Sequence, residues 1–332
     1  MSQIESEYTL KEVIANKDWD DFIDASSNGT IFLKSYYLQA ISAKYRLFFC
    51  YKKEELRAGV GVIESEDGKN IVLNDFVIYD GILYNQPTNK QNHAQQFSEQ
   101  FKIQSFIAEE LTKRYCNIEL SLHPSIVDIR AFLWVNYGKN APQYKPNIRY
   151  TSYIAITDFQ NAKKVEDIAL YAKASTSRRQ QIRYALKKNY KTLVCNDVQP
   201  FLDFYVKTMK RQDITVDEVK LISMKNLINA LIEKQVAKIY ASYDETNELG
   251  SMAFIGWDTK RAYYIFGASD PDKRDGHSGT AVLWDAFYDL SAMGISEVDL
   301  EGVNSPRRGW FKLSFGGDLL PYYELCYESL KS

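Results

Sequence analysis

The sequence predicts an α+β fold built as two consecutive units, each with a mixed, mostly antiparallel sheet flanked by helices. The length of 332 residues favours about two domains. A segment rich in Gly, Asn, Pro and Lys at residues 138–147 marks a boundary or an exposed loop. On both sides of it, helices, antiparallel strands, a helix and a strand follow in the same order, which indicates a duplication. We therefore expect one unit over residues 1–150 and a second over residues 151–332.

The first unit is expected to begin with mostly helical sequence from Thr9 to about Ala43. Short runs rich in branched and aromatic residues then predict strands at 45–51, 58–63, 70–74, 82–84 and 117–122. A long polar helix is expected from Asn92 to Arg114, and its apolar spacing predicts a buried stripe formed by Phe97, Phe101, Ile107 and Leu111.

The second unit repeats this arrangement. Apolar residues at helical spacing predict helices at 165–190, 200–211, 222–234 and 280–293. The last of these helices ends at Gly294, a residue type that favours the left-handed conformation after a helix. Strands are predicted at 237–243, 249–257, 262–268, 297–300 and 322–327.

Composition excludes several functions. A net charge of −2 argues against a dedicated nucleic-acid binder, which usually carries a strong basic excess. Four scattered cysteines and three distant histidines give no metal-site spacing, so we expect no metal and a reduced, cytoplasmic setting. The polar, acidic start does not match a signal peptide, and no apolar run approaches the ~18 residues of a membrane span.

Four stretches together resemble the FemABX group of proteins, which carry two tandem GNAT-type (N-acetyltransferase-like) domains. They lie at residues 28–38, in the Arg-rich run 177–188, across 264–287, and in 297–302 with 310–317. The resemblance covers essentially the whole chain, and it is carried by the order and spacing of the four stretches. It implies two GNAT-like domains, a last strand that completes a sheet of the first, and transfer of an acyl or aminoacyl group to an amine.

The loop before the predicted helix at 280–293 is a candidate donor site. In a GNAT core a splayed strand pair exposes backbone amides to the donor, and the next helix N-terminus holds its pyrophosphate. Gly279 fits the turn of a coenzyme A user, whereas Gly276 stands where such proteins have Gln or Arg. Lys273 and Arg274 add positive charge. The donor is either acyl-CoA or aminoacyl-tRNA, and the alternative is a polar loop that caps an ordinary helix.

Lys312 is the principal catalytic candidate, because the resemblance places there a lysine associated with phosphate or transition-state charge. Following a tight Arg-Gly-Trp turn, it could stabilise a developing oxyanion. Arg307 and Arg308 lie beside it, and three cations within six residues with no acid between them indicate an anionic ligand. The alternative is an ordinary surface lysine in a loop.

The Arg-rich run 177–188 predicts a basic helix face. Arg179, Arg183 and Lys187 recur at four-residue steps, while Ile182 and Leu186 are expected to dock the helix. The resemblance places an arginine of this helix against the phosphates of an acceptor nucleotide, with the choice between Arg179 and Arg183 open. A solvated basic face is the alternative.

The general base is either Asp80 or Glu301, both of which end or flank a predicted strand. Where FemABX members often have Gly-Pro followed by an acid, this chain has Gly81, Ile82 and Tyr84, so that acid is not carried over and we place Tyr84 at the substrate instead. Asp80 and Glu301 could equally serve in a turn or a salt bridge.

These features predict an acyltransferase whose acceptor is a small molecule bearing phosphate, such as a cell-wall precursor or a nucleotide-linked amino sugar. The basic helix would also suit tRNA as a partner. The competing hypothesis is a GNAT pair that has lost catalysis and binds a nucleotide or RNA.

Overall fold

The computed structural model describes residues 7–86, 91–211, 214–270 and 277–329. The chain divides into two compact units: the first contains Met1–Arg149 and Pro321–Ser332, and the second contains Tyr150–Leu320. Each unit combines sheet and helices, so the expected α+β class is confirmed.

The first unit is built around two groups of strands. Those that begin in it are β1 (Tyr8–Val13), β2 (Tyr45–Lys52), β3 (Glu55–Ile63), β4 (Asn70–Ile71), β5 (Gly81–Tyr84), β6 (Asn117–Ser121) and β7 (Lys145–Ala155). Strands β1, β2, β3 and β5 form an antiparallel sheet in that order. The last described strand, β13 (Asp318–Glu328), pairs antiparallel with β6 through its residues 324–328, and β4 pairs parallel with β6 on the other side.

The beginning of the chain corrects one expectation. The sequence favours helix from Thr9, but the chain forms β1, which runs antiparallel to β2 in a register from Tyr8 opposite Lys52 to Val13 opposite Leu47. A neighbouring strand supplies the backbone hydrogen bonds, and this tertiary pairing outweighs local preference. The helices follow as α1 (Lys17–Ala25) and α2 (Ser35–Ala40), with a 3-10 turn at Ile31–Leu33.

The long helix α3 (His93–Arg114) confirms the expected element. Asn92 and Gln95 form a capping box at its start. Its buried positions are Ile103, Gln104, Ile107, Ala108 and Leu111. Phe97 is 41% exposed, and Phe101 packs against Trp134, which follows the short helix α4 (Arg130–Leu133). The core-facing stripe therefore includes Ile107 and Leu111 as expected, but neither Phe97 nor the half-buried Phe101.

The second unit contains six strands that are neighbours in one sheet. Its strands are β7, β8 (Lys191–Cys195), β9 (Ala237–Tyr243), β10 (Leu249–Trp257), β11 (Ala262–Ser269) and β12 (Glu297–Asp299), arranged as β7-β12-β11-β10-β9-β8. Its helices are α5 (Ala169–Lys173), α6 (Thr176–Lys187), α7 (Val198–Lys210), α8 (Glu218–Glu233), α9 (Ser278–Ala292) and α10 (Pro306–Leu313), with 3-10 turns at Phe159–Asn161 and Val165–Asp167.

The single helix expected over 165–190 is broken at Ala174 and Ser175. Ala174 has an extended conformation, and the Ser175 hydroxyl accepts from the Arg178 N–H as the N-cap of α6. The Ser175 N–H donates to the carbonyl of Ser314 at 2.9 Å. A serine that satisfies helix-end donors locally and bonds a distant carbonyl starts a new helix instead of continuing the old one.

Among the residues that the structure describes, no helix is long and apolar enough to cross a membrane. Within the same ranges, no group of three or more His, Cys, Asp or Glu side chains is placed to hold a metal ion.

Asp80 precedes β5 and is buried in the first unit. Its backbone N–H donates to the Ser121 carbonyl, and its carboxylate accepts from the Ser121 N–H, both at 2.7 Å. Burial raises the pKa of Asp80 to about 8, more than the hydrogen bond lowers it. Asp80 therefore fastens the start of β5 to the end of β6.

We predict that Asp80→Asn flattens the pH dependence of stability. The folded chain holds the Asp80 proton up to a pKa of about 8, whereas an unfolded aspartate releases it near pKa about 4. The free energy of unfolding should therefore fall as pH rises between these values, and this fall should disappear in Asp80→Asn. Urea unfolding across this pH window measures the effect. The exposed Glu109→Gln serves as the control, and equal slopes for Asp80→Asn and wild type would contradict the prediction.

Candidate functional site

A cleft of about 650 Å³ opens in the second unit. Strand β11, the end of α7, the start of α9 and helix α10 form its walls. Five rings line it, those of Tyr205, Tyr264, Phe266, Trp310 and Phe311. A cleft of this size with mostly apolar walls and a few polar groups is typical of a small-molecule site.

The cleft forms where the parallel strands β11 and β12 stop pairing and diverge. Strands β11 and β12 pair only at Ala262 with Val298 and at Tyr263 with Asp299. Strand β11 then continues to Ser269 along the cleft. Its pairing with β10 also shifts at Ile265, since Phe254 lies opposite Phe266 but Ile255 lies opposite Tyr264. A bulge bends a strand and re-aims its side chains. The edge of segment 264–269 that faces away from β10 does not pair with β12, so its backbone groups are available to a ligand.

Lys312 lies on the cleft wall. Its ammonium donates to the carbonyls of Leu300 at 2.6 Å and Glu301 at 3.1 Å, and it sits 4.9 Å from the centre of the Tyr264 ring. Burial lowers the pKa of Lys312 to about 8, against the opposing effect of Glu301. An ammonium carries three N–H donors, so the two carbonyls leave one for a ligand in the cleft.

Lys312 is on α10 and not in the loop that the Arg-Gly-Trp sequence suggested. Pro306 occupies the first turn of α10, a position that suits proline because the first N–H groups of a helix have no helical partner. Gly309 is buried, and a side chain there would place its Cβ 2.4 Å from the Val303 carbonyl oxygen. The glycine therefore belongs to helix packing, and the helix fixes the direction of Lys312.

Glu301 follows β12 and is buried beside Lys312. Its backbone φ of 50° lies in the left-handed region that disfavours glutamate. Its N–H donates to the Asp299 carboxylate at 2.8 Å, and the Thr151 hydroxyl donates to the same oxygen. Burial and the charge of Asp299 raise the pKa of Glu301 well above its usual range. Among the described residues, its Oε1 has no hydrogen-bond partner.

The charged residues that line the described part of the cleft are all cations: Arg211, Arg307, Arg308 and Lys312. Arg307 and Arg308 are exposed on α10. Positive charge in a concave, partly apolar site concentrates the field and attracts an anionic ligand. The structure thus brings Arg307, Arg308 and Lys312 to one wall, together with Arg211, which carries no sequence signal of its own.

The arginine that helix α6 buries is Arg178, whereas the sequence candidates were Arg179 and Arg183. Arg183 is exposed and donates to the Tyr171 hydroxyl at 2.8 Å, while Arg179 is half-buried. Neither lines the cleft. Leu186, expected to dock the helix, is 52% exposed. The buried positions of α6 are Arg178, Ile182 and Ala185, so a spacing of four and three residues around Ile182 could have identified Arg178.

The start of α9 also contributes to the cleft through Gly279. A Cβ at this position would make only ordinary contacts, 3.5 Å from the Ser251 hydroxyl and 3.8 Å from the Phe311 ring. Space alone therefore does not require a glycine. The other predicted donor-loop residues, Lys273, Arg274 and Gly276, lie outside the residues that the structure describes.

Tyr84 is the remaining candidate, and it lies in the core of the first unit. Its hydroxyl accepts from the Gln104 amide at 2.6 Å, and its N–H donates to the Asn28 side chain at 2.9 Å. Burial raises the pKa of Tyr84. The surrounding contacts are those of a packed tyrosine with a satisfied hydroxyl.

Comparison with known proteins shows which fold this chain shares. Residues 176–308 match the family model described as an acetyltransferase (GNAT) domain. The crystal structure of FemX has a TM-score of 0.66 to this chain at 12% identity, covering 95% of this chain and 96% of FemX. A tandem GNAT protein from the clavulanic acid biosynthesis pathway has a TM-score of 0.54 at 9% identity, covering 97% and 98%.

The C-terminal domain of a putative lysylphosphatidylglycerol synthetase from Agrobacterium fabrum has a TM-score of 0.52 at 10% identity, covering 93% of this chain and 90% of that one. A search of curated proteins found no match. The chain therefore has the fold that FemX and the tandem GNAT protein share, and the expected resemblance to the FemABX group is confirmed for the fold.

We predict that Gly267→Ala alters the cleft without unfolding the chain. A Cβ at Gly267 would lie 1.9 Å from the Tyr264 hydroxyl oxygen, so the Tyr264 side chain must swing away from its place in the cleft wall. Because the clash is with the far end of a side chain, the melting temperature should change little. With acyl-CoA as the donor, one of the two alternatives proposed below, affinity for coenzyme A should fall by about tenfold, or about 1.4 kcal/mol. Calorimetric titration and thermal unfolding test this, and unchanged affinity would refute it.

Proposed function

We propose that this chain is an N-acyltransferase that transfers an acyl or aminoacyl group to an amine. The acceptor bears phosphate, as a cell-wall precursor or a nucleotide-linked amino sugar does. The observation that carries the proposal is the Lys312 ammonium, held by two carbonyls on the wall of a cleft whose described charged lining is entirely cationic. A cytoplasmic location is part of the same proposal.

The donor is acyl-CoA or aminoacyl-tRNA, and both bring phosphates to the cleft. Two features support acyl-CoA: strand segment 264–269, unpaired by β12, and the start of α9 beside it. The exposed Arg183 on α6 and the half-buried Arg179 would suit a longer polyanion such as tRNA. Neither donor requires a metal.

Lys312 would stabilise the transition state. When the acceptor amine attacks the acyl carbonyl, a C–N bond forms and the carbonyl oxygen becomes an oxyanion. A fixed ammonium stabilises that charge more than the neutral carbonyl, which lowers the barrier. Collapse of the intermediate then breaks the C–S bond to coenzyme A or the C–O bond to the tRNA ribose, and the leaving sulfur or oxygen takes up a proton.

Glu301 is the proposed base in preference to Asp80. The attacking amine must lose a proton, and a raised pKa makes the Glu301 carboxylate a stronger base than an ordinary glutamate. Glu301 has a free carboxylate oxygen within the described residues and lies beside Lys312, and a bridging water would carry the proton to it. The Asp80 carboxylate already accepts the Ser121 N–H and takes no part in the step.

Tyr264 is a suitable hydrogen-bond donor to the leaving group. Its ring lies in the cleft wall under the Lys312 ammonium. Burial raises the pKa of Tyr264, so the phenol stays protonated at neutral pH and can donate a hydrogen bond to the leaving atom. Arg307 and Arg308, exposed on the same wall, would bind the phosphates of the acceptor or donor.

We expect Lys312→Met to lower kcat/KM by about 100- to 1000-fold while the chain remains folded, because one oxyanion-stabilising donor is lost. In the wild type, activity should fall as pH rises through about 8, where Lys312 loses its proton. The exposed Lys225→Met on α8 is the matched control and should keep wild-type kinetics. Full activity of Lys312→Met would exclude this role.

One pair of assays distinguishes acyl-CoA from aminoacyl-tRNA as the donor, and an enzyme from a non-catalytic binding module. Purified chain is incubated with a nucleotide-linked amino sugar and either radiolabelled acetyl-CoA or tRNA charged with a labelled amino acid. Transfer from one donor identifies it. If neither donor supports transfer and Lys312→Met changes only ligand binding, the chain is the non-catalytic nucleotide- or RNA-binding module and the enzyme proposal is wrong.

A further inference from the structure

Arg178 is a buried arginine at the junction of three helices in the second unit. It is 5% exposed, and its guanidinium lies 4.4 Å from the centre of the Phe311 ring and 4.3 Å from that of Phe315. Such contacts with aromatic faces hold a guanidinium in a fixed plane.

The hydrogen bonds of this guanidinium join α9 to α10. Nη1 donates to the Thr280 hydroxyl in the first turn of α9 and to the Gln181 side chain. Nη2 donates to the Phe311 carbonyl at 3.2 Å and to the Ser314 hydroxyl at 2.8 Å, and Nε also donates to Ser314 at 3.0 Å. Lys312 lies between Phe311 and Ser314 in sequence, so Arg178 contacts the helical turn that carries Lys312.

No carboxylate partner for Arg178 is found among the described residues. Its hydrogen-bond acceptors are all neutral oxygens, and burial lowers the pKa of Arg178 to about 10. Carbonyls at the end of α10 offset part of the charge, as the negative end of a helix does for any cation. A buried charge without an opposite partner is a poor source of stability, since well-packed apolar side chains often serve as well or better.

The position of α10 decides where the Lys312 ammonium lies, since Lys312 is part of this helix. Helix α10 has eight residues, which is too short to be stable alone, and its position depends on tertiary contacts. Arg178 supplies several of these contacts at its C-terminal end. The Lys312 ammonium donates to the Leu300 carbonyl at 2.6 Å on the cleft wall, and a shift of α10 would break this hydrogen bond.

We propose that Arg178 is a positioning residue that fixes α10 against the first turn of α9 and thereby holds the Lys312 ammonium at the Leu300 and Glu301 carbonyls. The inference rests on the proposed function for its catalytic meaning, but the placement of Lys312 can be measured without turnover. A lysine cannot replace Arg178, because one ammonium cannot lie in the plane between two rings and also reach Thr280, Phe311 and Ser314.

The test measures the protonation of Lys312 directly. Wild type, Arg178→Lys and Arg178→Met are labelled briefly with acetic anhydride over a range of pH, and mass spectrometry follows the modification of Lys312. Wild type should titrate near the pKa of about 8. Both variants should titrate at least about one pH unit higher, towards the ordinary lysine value, because an ammonium released from its buried place regains solvent.

Gln180→Met, an exposed change on the same helix, is the control and should titrate like wild type. Circular dichroism establishes that each variant is folded, and if Arg178→Met does not fold, Arg178→Lys decides. A merely structural role would lower the folded fraction but leave the Lys312 titration of folded molecules unchanged, and that result would overturn the inference.

The outcomes separate this inference from the proposed function. If no donor supports transfer but the Lys312 titration moves in the Arg178 variants, the enzyme proposal fails and the positioning role stands. If transfer occurs, the alkaline limb of kcat should move with the titration in Arg178→Lys. Transfer with an unmoved titration and an unmoved alkaline limb would refute the positioning role alone.

Discussion

The early end of the pairing between β11 and β12 is the constraint on which the site depends. Two residue pairs join these strands, and beyond them β11 runs on along the cleft while the chain after β12 turns through Leu300 and Glu301. The turn directs two carbonyls at Lys312. Had the strands stayed paired, those carbonyls would belong to the sheet, and there would be neither a cleft nor a place for a partly desolvated ammonium.

Burial gives the charges around the cleft their chemical character. Lys312 loses proton affinity and Glu301 gains it because both are removed from water, and each partly offsets the effect on the other. Titrating groups with pKa values brought towards neutrality are common at functional sites. Asp80 has a raised pKa for the same physical reason but sits in a hydrogen-bonded strand junction, so a shifted pKa alone does not mark catalysis.

Local pattern predicted the elements best where one apolar stripe or one alternating run dominates. Helix α3 and strands β9 and β10 lie where spacing placed them. Prediction failed at β1 and at the break before α6. In both places the deciding hydrogen bonds come from residues distant in sequence, β2 in one case and Ser314 in the other. No local window contains those partners.

The sequence by itself determined the α+β class, the resemblance to tandem GNAT proteins, and the cations of residues 307–312, because these depend on composition, order and short spacing. Only the tertiary structure decided which cations share a cleft, that Lys312 stands on a helix, and that Arg178 contacts both Thr280 and Ser314. The physical reason is that burial and the direction of a side chain are properties of packing between elements. Spacing along one helix fixes which residues share a face, but the neighbouring helices and strands decide which face is covered.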